Sequence, residues 1–201
     1  MPQLGILISG RGSNLQAIID ATADGRLDAT VRVVVSNRPH VQGLERARAA
    51  GIETLVVDHT TFSSRAAFER ALVVALKERN VGLVCLAGFM RLLGPEFVSA
   101  FPNAILNIHP SLLPAFPGLD AQRQAWAHGV KLSGVTVHMV TEDLDAGPIV
   151  AQAAVPVRDD DTPETLATRI LAEEHRVYPE AIARVLRGDW RIDSRRFICG
   201  P

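Results

Sequence analysis

Short apolar runs alternate with helical stretches along the first half of the chain, and this alternation limits what the sequence can fold into. Residues 4–8, 31–35, 54–57 and 83–87 are aliphatic and of strand length. Between them, residues 14–23 and 41–50 carry helical patterns ended by Gly25 and Gly51, and Ser63 or Ser64 can cap a third helix running to about residue 79. Repeated strand–helix units predict a parallel, Rossmann-like, doubly wound sheet with helices on both faces. A short helix near residues 95–100 leads to a fifth strand, and residues 121–128 form another helix ended by Gly129. Two longer apolar runs, 132–140 and 149–157, flank a turn and should pair antiparallel, extending the sheet. Thr162-Pro163-Glu164 opens a last helix, with a Thr cap and Pro at the first position. That helix is expected to run to about Tyr178, break or kink at Pro179 and resume to Arg187. The fold class is therefore α/β, organised as one domain over residues 1–188. Its first half (1–101) would bind phosphate and its second (102–188) would carry catalysis; residues 189–201 read as an irregular tail. At 201 residues the chain is long enough for a real core.

The stretch Ala104-Ile105-Leu106-Asn107-Ile108-His109-Pro110 places two polar residues where a buried strand should end. Residues two apart on a strand share a face, so Asn107 and His109 project together while Leu106 and Ile108 point the other way. An amide donor beside an imidazole suits stabilisation of a developing oxyanion and management of its proton. The plainer alternative is a strand end whose side chains tie down the next loop. Ser9-Gly10-Arg11-Gly12-Ser13-Asn14-Leu15 joins a strand to a helix and so offers an anion site at the carboxyl end of the sheet. It lacks the Lys of a Walker A loop, and Leu15 stands at the third position of G-x-G-x-x-G. The second strand ends in Val35-Ser36-Asn37, without an acidic residue for an adenosine ribose. A small monophosphate fits better than a nicotinamide cofactor; a turn that only allows close packing is the alternative.

Asp145 lies in an acidic turn, either solvated or folded by Ala146-Gly147-Pro148 towards His109, where a carboxylate would favour the charged imidazole. His138 shares a strand face with Thr136 and suits a hydrogen-bonded support role. Leu166, Ile170, Glu174 and Val177 share one helical stripe, so Glu174 either faces inward and needs a partner, such as a substrate amine, or sits at a wet edge. Arg65 and Arg91 could each be ordinary surface arginines; Arg91 is the more informative, because Gly88-Phe89-Met90-Arg91 follows directly from a buried strand and so lies on the ligand side of such a sheet.

A net charge of -1 gives no whole-chain field for nucleic acid or an anionic membrane. No run approaches the length of a membrane span, and no Cys/His spacing resembles a zinc site, so no metal is expected. Cys85 and Cys199 do not make a disulfide framework, and a reducing cytoplasm is the expected location.

The segments SGRGSNLQAIID, SNRPHVQGLERARAAGI, LAGFMRLL, ILNIHPSLLPAFPGL, VHMVTEDLDAGPI and EEHRVYP together resemble the folate-dependent phosphoribosylglycinamide formyltransferases of purine synthesis. They occur in that family's order over almost the whole chain. The resemblance implies that 10-formyltetrahydrofolate is the co-substrate and that Asn107, His109 and Asp145 form the catalytic set. It implies that Gly12, Ser13 and Asn14 bind the phosphate of glycinamide ribonucleotide, that Glu174 receives its glycyl amine and that Pro110 helps to position it. Arg65, Met90, Arg91, Leu92, Leu93, Asn107, Leu144 and Asp145 would line the formylfolate pocket, and Leu113–Pro114 would be cis. Small-molecule substrates are implied, while monomer and homodimer both stay open.

There are departures. Arg11 stands where family members often have Asn, and Asp120 and Gln122 stand where many have histidines. Two related activities and one silent state compete with this assignment. Formyltetrahydrofolate deformylases usually carry an extra N-terminal domain, whereas residue 4 here already starts a strand. Methionyl-tRNA formyltransferases usually add a C-terminal RNA-binding domain and would favour positive charge. A phosphate- or folate-binding protein without catalysis is the third.

Overall fold

The computed structural model describes residues 1–200, which group into two compact units, one ending at Leu106 and the other starting at Asn107. The first unit holds β1 (Gln3–Ile8), α1 (Ser13–Ala23), β2 (Thr30–Ser36), α2 (Gln42–Ala49), β3 (Thr54–Val56), α3 (Arg65–Lys77), β4 (Leu83–Leu86) and α4 (Pro95–Ala100). Its strands run in the order β3-β2-β1-β4 and all pair parallel. Leu4, Ile6, Leu7 and Ile8 of β1 and Val33, Val34 and Val35 of β2 are all fully buried. Burial on both faces is what a continuous aliphatic run demands of a parallel strand. Ser64 caps α3 by accepting from the Ala67 amide at 3.2 Å, which settles the choice between the two serines.

The strand β5 (Ile105–His109) crosses the boundary between the units. The second unit continues with α5 (Ala121–Ala127), β6 (Leu132–Met139), β7 (Ile149–Pro156), α6 (Pro163–Leu186), β8 (Trp190–Asp193) and β9 (Arg196–Cys199). β6 and β7 pair antiparallel, as their adjacency across a turn predicts, with a bulge between Val137 and His138. The α6 helix packs on these two strands through Leu166, Ile170, Val177 and Ile182, all buried.

Two expectations need correction. α6 does not break at Pro179; it runs unbroken for 24 residues with that proline buried inside it. An interior proline costs about 3 kcal/mol or more. Each fully buried Leu, Ile or Val contributes about 1.5–3 kcal/mol, so the apolar residues on both sides of Pro179 hold the helix together. The tail is not irregular either. β8 and β9 form an antiparallel hairpin, with Trp190 and Phe197 stacked at 5.0 Å and Ser194 at positive φ in the turn. A Ser-Arg turn lacks the Gly or Asn that usually marks such hairpins.

Candidate active site

Asn107 and His109 end β5 on one face, and their side chains meet two others from the second unit. Asn107 Nδ2 lies 3.2 Å from His138 Nε2, and His109 Nδ1 lies 3.4 Å from Asp145 Oδ2. Asp145 Oδ1 is 3.6 Å from His138 Nε2. The side chains of His109, His138 and Asp145 are 6%, 3% and 8% exposed, so these groups interact out of bulk water. The solvated-turn alternative for Asp145 therefore fails. Its neighbours Glu142, Asp143 and Leu144 are exposed, while Asp145 takes a positive φ that turns its carboxylate inward.

The hydrogen-bond partners decide the tautomers. His138 Nδ1 lies 2.9 Å from the Met139 carbonyl, so Nδ1 carries the proton and Nε2 accepts from the Asn107 amide. His109 Nε2 lies 2.8 Å from the Phe116 carbonyl and donates to it. Since its Nδ1 faces the Asp145 carboxylate, a ring protonated at both nitrogens leaves neither facing an acceptor as a bare lone pair. The Gly118 amide donates to Asp145 Oδ2 at 2.8 Å. Burial disfavours ionisation of the Asp145 carboxyl, but the hydrogen bond from the Gly118 amide and the field of His109 outweigh it and hold the group below its usual range.

The loop after β5 is fixed by Thr136. Its Oγ1 donates to the Ser111 carbonyl at 2.7 Å and accepts from the Leu113 amide at 3.0 Å and from Gln152 Nε2 at 2.9 Å. Leu113–Pro114 is cis. Pro110 is half-buried beside His109, and Leu144 is 54% exposed. Glu174 is 7% exposed on the stripe of Ile170 and Val177, so helical phase placed it correctly and the wet-edge alternative fails. Sequence reasoning missed Phe116, Gly118, Thr136 and Gln152. The first two act through backbone atoms, which leave no signature in residue type.

The first unit holds the remaining candidates. Gly12 caps α1 in the left-handed conformation, and a Cβ on it would lie 2.7 Å from the Gly43 backbone. Gly43 donates to the Gly10 carbonyl at 3.1 Å and Arg46 Nε to the Arg11 carbonyl at 3.0 Å, so this turn is braced by α2. Ser13 and Asn14 form the first turn of α1, where the positive end of the helix dipole favours an anion. Arg65 opens α3. Met90, Arg91 and Leu92 are exposed on the loop after β4, but Leu93 is 7% exposed and turns into the core.

The formyl transferase family matches residues 3–182. Phosphoribosylglycinamide formyltransferase of Escherichia coli (strain K12) is 46% identical over 190 residues, covering 94% of this chain and 87% of that one. The trifunctional purine biosynthetic protein adenosine-3 of Homo sapiens is 45% identical over 197 residues, 98% of this chain. This chain spans 20% of that relative's length. Among solved structures, glycinamide ribonucleotide transformylase 1 from Symbiobacterium toebii matches with a TM-score of 0.98 and 56% identity, covering 100% of this chain and 95% of that one. A formyltetrahydrofolate deformylase from Pseudomonas syringae pv. tomato matches with a TM-score of 0.91 but 25% identity, and 66% of its chain is covered.

Proposed function

The chain belongs to the formyl transferase family, and from that premise we propose that it transfers the formyl group of 10-formyltetrahydrofolate to the glycyl amine of glycinamide ribonucleotide, a step of purine synthesis. The observation that carries this reading is the buried constellation of Asn107, His109 and Asp145, an amide donor and an imidazole beside a carboxylate held ionised. The neutral amine attacks the formyl carbon, and the carbonyl π electrons move to oxygen. An amide nitrogen carries two hydrogens; one is engaged by His138 and the second is directed at this oxyanion. Protonated His109 stabilises the same charge. Asp145 faces His109 across 3.4 Å and relays a proton from the attacking nitrogen to N10, through water. The C–N10 bond then breaks with its electrons on N10, giving tetrahydrofolate and the formylated amine.

Gly12, Ser13 and Asn14 take the ribonucleotide phosphate, while Glu174 and the backbone at Pro110 take its glycyl end. Arg65, Met90, Arg91, Leu92 and Leu93, together with Asn107, Leu144 and Asp145, hold the formylfolate; buried Leu93 acts through its backbone. No metal enters this mechanism. We place the enzyme in the cytoplasm, with small molecules as its partners.

Purified protein mixed with 10-formyltetrahydrofolate, with and without glycinamide ribonucleotide, tests the reading. Formyl loss that depends on the nucleotide and yields a formylated product is expected. Formate release without the nucleotide would make the protein a deformylase, and no loss in either mixture would make it a binding protein.

A further inference from the structure

Glu69 is a carboxylate that the mechanism leaves unused, and it is 2% exposed. Burying a carboxylate is costly unless it is paired and hydrogen-bonded, so its partners say what it is for. One oxygen, Oε1, accepts from Arg65 Nε at 2.7 Å and from the Gly94 amide at 2.9 Å. Arg65 sits one helical turn before it on α3, with a side chain 49% exposed. Gly94 closes the loop that follows β4. The other end of that loop is fixed in the same manner: the Met90 amide donates to Ser9 Oγ at 2.8 Å, and the buried Ser9 donates to Asn37 Oδ1 at 2.6 Å. Between these anchors Met90 and Leu92 are 63% and 62% exposed. An exposed apolar loop pinned at both ends by buried polar groups is a presented surface rather than a free one.

Gly94 adds an independent observation. Its φ of -89° suits any residue, so backbone conformation does not require glycine here. Space does, because a Cβ would lie 2.5 Å from Arg65 Nη2 and 3.0 Å from Glu69 Oε2. The guanidinium occupies the place of the missing side chain.

We propose that Glu69 is a positioning residue for the formyl donor, fixing the Arg65 guanidinium and the Gly94 end of the 90–93 loop as one prearranged surface. The proposal rests on the assignment of Arg65 and residues 90–93 to the formylfolate pocket. Prearrangement lowers the ordering cost of binding without touching the chemical step, so its loss appears in donor affinity alone.

Glu69→Gln keeps the shape and one acceptor but removes the charge. Gly94→Ala leaves Glu69 intact and displaces the end of a flexible arginine, so the fold survives it. Both variants loosen the charge-assisted hold on the Arg65 guanidinium, and the strength of one such bond sets a shift of about tenfold. Both variants are therefore expected to raise the KM for 10-formyltetrahydrofolate, and the Kd for 5-formyltetrahydrofolate, about tenfold, with kcat and the KM for glycinamide ribonucleotide within about twofold of wild type. Donor affinity equal to wild type in both variants, or equal losses for donor and acceptor, overturns the proposal. A wild-type protein that binds no 5-formyltetrahydrofolate overturns the pocket assignment and the proposal together, whereas binding by wild type and both variants alike overturns the proposal alone.

Discussion

Asn107 illustrates how much of the site depends on one proton. The Met139 carbonyl fixes the proton of His138 on Nδ1, so Nε2 is an acceptor that only the nitrogen end of the Asn107 amide satisfies. The amide is thereby oriented with its NH2 group into the site. Removing an oxyanion donor costs about 10²–10³ in turnover, and Asn107→Ala is expected to lose that much kcat with substrate affinity largely kept. Near-wild-type turnover would remove Asn107 from the oxyanion site. Asp145 adds a pH signature. Its folded pKa lies below the ordinary carboxylate value, so its stabilisation is fully present above about pH 4 and is lost as pH falls through the depressed value. Asp145→Asn should therefore melt below wild type at neutral pH, and the gap should narrow in acid below about pH 4. A gap of equal size at both pH values in thermal melts would show that the carboxylate's charge carries none of it.

Element by element, legibility followed the type of signal. The first four strands and their crossover helices were readable because aliphatic runs, caps and terminal glycines agreed. The Thr162 cap was readable too, and the structure adds its reciprocal half: Thr162 Oγ1 accepts from the Thr165 amide, and Thr165 Oγ1 accepts from the Thr162 amide. Replacing such a cap by Ala costs about 1 kcal/mol, which lowers Tm by about 2–4 °C in a chain of this size. Thr162→Ala should show that shift in a thermal melt with kcat unchanged; an unaltered Tm would mean that Pro163 and the buried face of α6 hold this end alone. Local signals misled where tertiary contacts override them. Pro179 reads as a break, yet Tyr178, Ala181 and Ile182 beside it are fully buried and carry the helix through. The β8–β9 hairpin was invisible because its pairing is visible only once Trp190 and Phe197 are stacked.

At the scale of the whole molecule, charge is nearly balanced, and this bears on how the proposed anionic substrate would reach the site. The shared face of Asn107 and His109 followed from strand parity, but for Asp145 the turn left a solvated and an inward reading open, and its burial and its bond to the Gly118 amide depend on contacts between residues 27 apart in sequence. Local sequence could not supply that, nor can it supply the field near the turn at residues 10–14. A net charge of -1 steers no anion over a distance. Any attraction must come from cations near residues 10–14, of which Arg11 is exposed at the turn itself. The Debye length falls from about 30 Å at 0.01 M salt to about 8 Å at 0.15 M, so long-range steering would collapse over that range while a local pair would weaken modestly. The kcat/KM for glycinamide ribonucleotide should therefore fall by no more than about threefold across it, and Arg11→Asn should remove most of that fall. A drop of about tenfold or more that persists in Arg11→Asn would mean that a wider basic surface gathers the substrate, and that the balanced total charge conceals it.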